Sequence, residues 1–410
     1  MAMKIEIEEK QIEAPYELPE GWKWCRLPEC VSIVTGKKDA NYGTPDGKYL
    51  FFTCAEQPLR CDDYSFKGES LLLPGNGANV GQVIYYDGQF EVYQRTYVLQ
   101  KTNELILLKY LYYHILGFWK NYNLDKQYGS ATNYIKMGNF LNYYFPLPPT
   151  LAEQQRIVNR IESMFAKLDE AKERAQNVVD GFETRKAAIL HKAFTGELTA
   201  KWRKENGVSD DSWEEKTIGE ICLVKGGKRV PKGMSLIKEK NEHPYLKAGN
   251  LKFGTVIDKD MEYVPNDVFI LIKNYTVNAG DVYITNVGAC IGDCGIIPDY
   301  YHGASLTENA VKLTEMICNN SYLAKQLSSN LVQTQIKSKI KSATLGKLSI
   351  DNIKQLKINL PTLPEQQEIV RILDIIIGKE RIAKQAAEAV LEQIDLLKKS
   401  ILARAFRGEL

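Results

Sequence analysis

Residues Leu151 to Leu198 read LAEQQRIVNRIESMFAKLDEAKERAQNVVDGFETRKAAILHKAFTGEL, and residues Leu363 to Leu410 read LPEQQEIVRILDIIIGKERIAKQAAEAVLEQIDLLKKSILARAFRGEL. The two stretches align at a constant offset of 212 residues without a gap, and 19 of the 48 aligned positions are identical. A fixed-offset repeat of this length describes architecture and constrains everything around it. Each copy reads as one long helix. Thr150 with Glu153, and Thr362 with Glu365, fit the capping box that satisfies orphan amides in a first helical turn. Pro364 falls where a missing N–H costs nothing, and Gly196 and Gly408 stand where helices usually stop. At ~1.5 Å per residue each helix would be roughly 65–70 Å long, well beyond the usual globular helix.

Between these ends, apolar residues recur at alternating steps of three and four. In the first copy they are Ile157, Ile161, Met164, Leu168, Ala171, Ala175, Val178, Phe182 and Ile189; in the second, Ile369, Leu373, Ile376, Ala383, Ala387, Val390, Ile394, Leu397 and Ile401. That is a coiled-coil seam sustained over several heptads. Two charges interrupt it, Arg185 and Glu380. In a parallel pair they would stand 17 positions apart along the repeat frame, since Glu380 corresponds to Leu168, which is about 25 Å. In an antiparallel pair with its pseudo-twofold near Gln176 they share a layer and neutralise each other. An antiparallel pair with Arg185 beside Glu380 is therefore expected. Beside the seam, Val158, Phe165 and Val179, matched by Val370, Ile377 and Leu391, widen the apolar stripe and ask for further cover, from a partner's helices or from the chain's own domains.

At 410 residues the chain is too long for one core and suits two or three domains. No apolar run has the length of a membrane helix, and the N-terminus lacks a signal-peptide core. The eight cysteines are scattered, the closest pair (Cys290 and Cys294) lacks zinc-ligand spacing, and the four histidines lie far apart. A reduced, cytoplasmic protein without a metal is expected. Net charge is only +2, with residues 1–150 at −2, residues 201–362 at +4 and each repeated helix balanced, so any nucleic-acid face must be local.

Up to Thr150 the chain is rich in short β-like runs. Trp22-Lys23-Trp24 leads into Val31–Val34 and the turn-like Thr35-Gly36-Lys37-Lys38. Ser70–Leu73 precedes the loop Asn76-Gly77-Ala78-Asn79-Val80-Gly81. Gln82–Tyr86 and Glu91–Leu99 read as a hairpin around Asp87-Gly88, and Leu105–Trp119 as a helix. From Thr199 to Pro361 the same order returns loosely: Trp213, Gly226-Gly227-Lys228-Arg229, Asp281–Ile284, Gly288-Ala289-Cys290-Ile291-Gly292, and Ser342-Ala343-Thr344 at the 212 offset from Ser130-Ala131-Thr132. Constant helices with divergent globular parts imply a fixed spacer carrying two readers of different things. The fold class is α+β: two β-rich mixed globular domains (residues 1–150 and 199–362) separated by two long helices (residues 151–198 and 363–410) forming an antiparallel coiled coil, with a pseudo-twofold internal repeat.

The two starts LPPTLAEQQRIV and NLPTLPEQQEIV, the two AFxGEL ends, and GNGANVG with QRTYVL and its counterpart NVGACIG carry a resemblance. The chain resembles the specificity subunit of type I DNA restriction–modification systems over essentially its whole length. The resemblance implies two target-recognition domains, each reading half of a split, asymmetric double-stranded DNA target. It implies a helix pair that spaces the domains and docks two methyltransferase subunits, S-adenosylmethionine bound by those subunits and not by this chain, and separate motor-nuclease (restriction) subunits. Spacing in the DNA would then follow helix length, and the junction Gly196–Ala200 reads as the permissive place to change it.

Chemistry on this chain is not expected. The one Pro-Pro pair, Pro148-Pro149, is preceded by Leu147 and followed by Thr150, so no methyltransferase amine site is present, and Gly346-Lys347 is followed by Leu348, so no phosphate-binding loop of an ATP motor is present. Asn76–Asn79 reads either as a plain turn or as a contact to the DNA backbone. DNA contacts need cations and bidentate side chains. These types in loop positions are Lys37, Lys38, Asn76, Asn79, Gln94, Arg95 and Tyr97 in the first domain. In the second they are Lys225, Lys228, Arg229, Asn250, Asn286, Asn309, Lys337, Lys339 and Lys341. Two other readings stay open: a non-enzymatic coiled-coil scaffold, and a single-stranded nucleic-acid binder using the 23 tyrosines as stacking platforms.

Overall fold

The structure, a computed structural model, describes residues 16–129, 132–252, 254–341 (of Lys341 only the backbone) and 346–410. Most of the paired Ser-Ala-Thr tripeptides lies outside the described residues. In chain order the main elements are β1 (Lys23–Arg26), β2 (Val31–Thr35), β3 (Tyr49–Phe52), β4 (Leu59–Cys61), β5 (Phe66–Pro74), β6 (Ile84–Val92), β7 (Thr96–Lys101), α1 (Leu108–Tyr122), β8 (Tyr144–Leu147), α2 (Leu151–Asp180) and α3 (Phe182–Phe194). Then follow α4 (Ala200–Asn206), β9 (Glu214–Thr217), β10 (Leu223–Gly226), β11 (Pro244–Leu246), β12 (Leu251–Lys252), β13 (Thr255–Val256), β14 (Glu262–Tyr263), β15 (Val282–Thr285), β16 (Cys294–Ile296), β17 (Ser305–Leu306), β18 (Ala310–Thr314), α5 (Asn320–Leu327), α6 (Asn330–Lys341), β19 (Lys357–Leu360) and α7 (Leu363–Ala405). The chain divides into two compact units, Met1–Gln176 with Glu388–Leu410, and Asn177–Ala387.

In the first unit, six strands run in the order β2-β7-β5-β6-β3-β4, and β1 pairs with β8. β6 passes straight through Asp87-Gly88, so the expected hairpin there is absent. Its reason is a partner distant in sequence: Gly68 of β5 stands opposite Gly88, and the antiparallel register runs unbroken from Phe66↔Phe90 to Leu72↔Ile84. β5 therefore lies between the two strands the hairpin would have joined. The core gathers Leu108, Leu111, Ile115 and Trp119 of α1 with Ile157, Val158 and Ile161 of α2 and with Leu402, Ala405 and Phe406 at the end of α7. Arg156 donates to the Leu410 carbonyl and Asp169 pairs with Lys398, so these helix stretches run antiparallel.

The second unit holds β10-β18-β15-β16, β14-β11-β17, β12-β13 and β19-β9. Leu190, Ala193 and Phe194 of α3 pack with Tyr322 of α5 and with Ile369 and Leu373 of α7. Arg185 Nε lies 2.7 Å from Glu380 Oε2, in an antiparallel pairing as expected. The first copy is not one helix, however. It breaks at Gly181, and the Arg185 guanidinium folds back to donate to the Val178 carbonyl at 2.8 Å. A Cβ on Gly181 would stand 2.3 Å from Arg185 Nη1, so the break makes room for the arginine that caps it.

The seam of α7 also departs from expectation. Ala383, Val390 and Leu397 are exposed, while Lys384, Leu391 and Lys398 are covered. Lys398 covers its layer with its alkyl stem: Nζ lies 5.0 Å over the Phe165 ring while the ammonium reaches Asp169.

The repeated EQQ motif has a clear role. Gln154 accepts from the Leu107 amide (2.8 Å) and donates to the Leu105 carbonyl (2.9 Å), just ahead of α1. Gln366 accepts from the Asn319 amide (2.8 Å), just ahead of α5, and donates to the Pro361 carbonyl (2.8 Å). Glu153 and Glu365 differ. Thr150 Oγ1 caps the Glu153 amide, but the Glu153 side chain pairs with Arg156. Glu365, fully buried, takes Arg203 Nη1 at 2.7 Å and Thr199 Oγ1 at 2.6 Å. The junction expected to tolerate insertion is thus locked: Arg203 also donates to Gly196 O at 3.0 Å, on either side of the turn Glu197–Thr199.

Two outcomes follow from this packing. Glu365→Ala leaves Arg203 buried without its partner and should lose about 3–5 kcal/mol, whereas Glu153→Ala at a partly exposed pair should lose less than about 1 kcal/mol; urea midpoints of the two variants check the contrast. His114 is buried beside Tyr143 (Nδ1 to hydroxyl 3.0 Å) and Phe406, and burial pushes its pKa down to about 3. The unfolded chain protonates it near 6.5, so this group's stability contribution falls as pH drops from about 6.5 toward 3. Between pH 7 and 5 the chain should lose about 2 kcal/mol more than His114→Gln. Equal pH slopes in urea titrations of the two proteins would overturn this.

Candidate nucleic-acid interface

In the first unit three turns are stitched together through the backbone. The Gln94 amide donates to the Lys38 carbonyl (2.9 Å), and the Gly75 amide donates to the Arg95 carbonyl (2.8 Å). Gly36 permits the approach, since a Cβ there would come within 1.9 Å of the Val92 carbonyl oxygen. The stitch brings Lys37, Lys38, Asn76, Gln94 and Arg95 onto one patch. Lys37 and Arg95 are exposed; Lys38 sits 3.9 Å over the Tyr42 ring, and Gln94 donates to Asp39 at 2.9 Å. Asn76 forms a β-bridge to Tyr134, which adds Tyr128 and Lys136 (4.1 Å over the Tyr128 ring) to the same edge. These three were missed by sequence reasoning. The interleaved Lys126, Tyr128, Tyr134 and Lys136 were the available signal.

Two first-unit candidates are structural instead. Asn79 donates to the Cys54 carbonyl (2.9 Å) and accepts from Gln82 (3.0 Å), so it holds the loop. Tyr97 stacks 4.3 Å from Phe140, and burial pushes its phenol up.

The second unit repeats the stitch with other residues. The Gly227 amide donates to the Ala310 carbonyl (3.1 Å), the Lys228 amide to Leu306 (2.8 Å), and the Asn286 amide to Asn309 (2.9 Å). A Cβ on Gly227 would lie 2.1 Å from the Thr307 carbonyl oxygen. Lys228 and Arg229 are exposed here, with Arg229 paired to Glu308 and Asn309 half-buried beside them. A cleft of about 740 Å³ opens between Arg229, Lys232, Met234, Lys247, Glu308 and Asn309. Lys232 and Lys247 are cations that the sequence reading passed over. Lys225 is exposed but pairs with Glu315. On α6, Lys337 is exposed and Lys339 reaches Gln355 at 3.1 Å, whereas the side chain of Lys341 lies outside the described residues.

Asn250 and Asn286 are corrected. Both are buried. Asn250 accepts from the Lys247 amide (3.1 Å) and donates to the Lys259 carbonyl (2.8 Å), closing the β12–β13 turn, so neither asparagine faces a ligand.

The widened stripe is corrected too. Val158 is wholly buried against α1, and Phe165 meets the Tyr113 ring at 5.9 Å. Val370 and Ile377 pack on the Phe194–Tyr322 cluster, and Val179 and Leu391 are half-buried. The exposed apolar residues of α7 are others: Ile375 and Ile382 in the second unit, and Val390, Leu396 and Leu397 in the first.

A family model described as "Type I restriction modification DNA specificity domain" matches residues 19–179 and 210–393. The chain belongs to the type I restriction–modification DNA specificity family. Its function is accordingly DNA sequence recognition in such a system. The chain is 27% identical over 413 residues to the Type I restriction enzyme EcoDI specificity subunit of Escherichia coli, covering 96% of this chain and 90% of that one. It is 22% identical over 419 residues to the MjaVIII specificity subunit of Methanocaldococcus jannaschii, with 96% and 94% covered. The fold matches the solved HsdS subunit from Thermoanaerobacter tengcongensis with a TM-score of 0.64 at 20% identity, covering 97% of this chain and all of that one. It also matches a chain from a study of complex assembly and conformational transition of the type I system, with a TM-score of 0.72 at 19% identity and coverage of 97% and 100%. Among the described residues no cluster could hold a metal, and no helix is long and apolar enough to cross a membrane.

The division between structural and outward-facing asparagines and arginines is measurable. Asn250→Ala should lose about 2–3 kcal/mol, because buried backbone groups are left unpaired, while Arg95→Ala should stay within about 0.5 kcal/mol of the parent; thermal or urea unfolding of both variants decides.

Proposed function

We propose that this chain is the non-catalytic specificity subunit of a type I complex, in which each unit reads one half of a split double-stranded target. The observation that carries the reading is duplication. The same stitched turns occur in both units, and they present different side chains: Lys37, Lys38, Gln94 and Arg95 in one, Lys228, Arg229 and Asn309 in the other. Two frames of one shape with different polar outfits suit two different half-sites. Arg95 fits base-edge or phosphate contact, since its guanidinium is exposed and presents a planar fork of donors. Lys37 and Lys228 fit phosphate contact as point charges.

The partners in this reading are DNA, two methyltransferase subunits, which bind S-adenosylmethionine, and motor-nuclease subunits. Methyltransferase helices would dock on the exposed side chains of α7. Ile382 is 67% exposed and Leu396 64%, each flanked on its own unit by a further apolar residue. Large apolar side chains left in water along one helix call for a covering surface.

Two experiments test the proposal. Lys37→Ala with Arg95→Ala should weaken binding to a cognate duplex and reduce the salt slope by about 2, one for each lost phosphate contact; an unchanged slope removes that patch from the interface. Tighter binding to single strands than to duplex favours the stacking alternative. Ile382→Glu with Leu396→Glu should abolish co-purification of methyltransferase subunits while the isolated chain keeps its unfolding midpoint. Intact assembly in that variant refutes the docking surface.

A further inference from the structure

Lys252 and Cys290 belong to separate segments of the second unit. Lys252 ends β12, and Cys290 lies in the loop Gly288–Gly292 between β15 and β16. Lys252 Nζ stands 2.6 Å from Cys290 Sγ and is ion-paired with Asp293. An N–H···O bond spans about 2.7–3.2 Å, and sulfur is the larger atom, so 2.6 Å is too close for an ammonium–thiol hydrogen bond. It is also too long for a direct S–N bond of about 1.7 Å, the sulfenamide that an oxidised cysteine forms with nitrogen. A bent oxygen between the two atoms fits. Bonds of roughly 1.4 Å (N–O) and 1.7 Å (S–O) at an ordinary ~110° angle place nitrogen and sulfur about 2.6 Å apart.

We propose that Lys252 and Cys290 form a covalent, reversible N–O–S bridge, a redox modification site that fastens the Gly288–Gly292 loop to the β12–β13 hairpin. The oxidant is dioxygen. Thiol and amine together supply four electrons; one oxygen atom ends between sulfur and nitrogen, and the other leaves as water. The S–H bond and one amine N–H bond are broken, and S–O and N–O bonds are formed. The additional proton of the Lys252 ammonium passes to the Asp293 carboxylate beside it and from there to solvent. Reduction by four equivalents of a small thiol returns the free cysteine, the free amine and one water, with two disulfides of the reductant. Access is open, because Lys252 and Asp293 line a cavity of about 820 Å³ together with Lys186, Lys325 and Arg381. Cys290 is half-buried, within reach of small oxidants yet shielded from bulk protein thiols. The bridge does not depend on the DNA reading. Its consequences are local: it removes the Lys252 charge and ties two turns into one.

The test uses the full chain purified in air, unfolded in acid without reductant, alkylated with iodoacetamide and digested with trypsin. The expected product is a linked peptide pair joining Lys252 to Cys290, heavier by one oxygen and lighter by two hydrogens than its two peptides combined. Trypsin should fail to cut after Lys252, and alkylation of Cys290 should rise several-fold after dithiothreitol. Lys252→Arg and Cys290→Ser should each abolish the linked pair, and in Lys252→Arg the cysteine should alkylate without reductant. Full alkylation of Cys290 and full cleavage after Lys252 in the air-exposed parent chain overturn the proposal. So does a link lacking the oxygen, a Cys290–Cys294 disulfide, or oxidation of Cys290 to a sulfinic acid with Lys252 free.

Discussion

Two buried glutamine side chains hold this molecule's pieces in place. A helix that starts inside a protein leaves amide donors that water cannot reach, and these must be satisfied by something. α1 and α5 both begin this way, and both are met by a glutamine from a long helix, Gln154 and Gln366. Each glutamine also donates back to a nearby carbonyl, so its amide behaves as a short piece of strand. Such a contact fixes position as well as energy, because a one-residue slip of the long helix would orphan two backbone groups at once. The opposite ends serve the same purpose by packing. Phe406 lies against Tyr110 and His114 in the first unit, and Phe194 against Tyr322 in the second. Each reader is therefore gripped by the start of one copy and the end of the other. Only antiparallel helices can supply both, which explains why the EQQ starts and the AFxGEL ends are what the two copies share.

Identical letters do not guarantee identical roles. Glu153 and Glu365 occupy the same repeat position, but only Glu365 meets an arginine from the segment that follows the first copy. That segment carries Arg203 into a site that excludes water. The second start is thereby tied to the chain that leaves the first helix, and the first start is not. The break at Gly181 is a similar asymmetry, since Gln393 at the matching position leaves α7 unbroken.

Much of this was legible because the physics is local or periodic. An arginine and a glutamate placed in apolar seams need each other, and only one helix direction brings Arg185 to Glu380. Period alone could not choose the edge of α7, however. That helix carries more apolar residues than one face buries, so Val390 and Leu397 competed with Leu391 and Lys398 for the seam. The lysine won because its stem packs on Phe165 while its charge finds Asp169. Asp87-Gly88 misled for a different reason: a turn dipeptide stays extended when another glycine, Gly68, stands across from it, and cross-strand partners are invisible in a linear reading. The asparagines divided by burial, which residue type does not report. Asn250 and Asn79 spend their side chains on backbone, whereas Arg95, one residue type along the same list, has none to satisfy.

The candidate interface itself rests on two close backbone approaches. At Gly36 and at Gly227 a neighbouring carbonyl occupies the space any side chain would need. The turns are thus held by main-chain hydrogen bonds and by missing Cβ atoms, and the side chains next to them contribute little to the fold. Lys37 and Arg95 on one frame, and Lys228 and Arg229 on the other, are free to be something else without loss of structure. A surface whose geometry is fixed by glycine and backbone, and whose chemistry is left to exposed neighbours, can change what it reads while keeping its shape. That property, present twice in one chain, is what a protein with two independent readers requires.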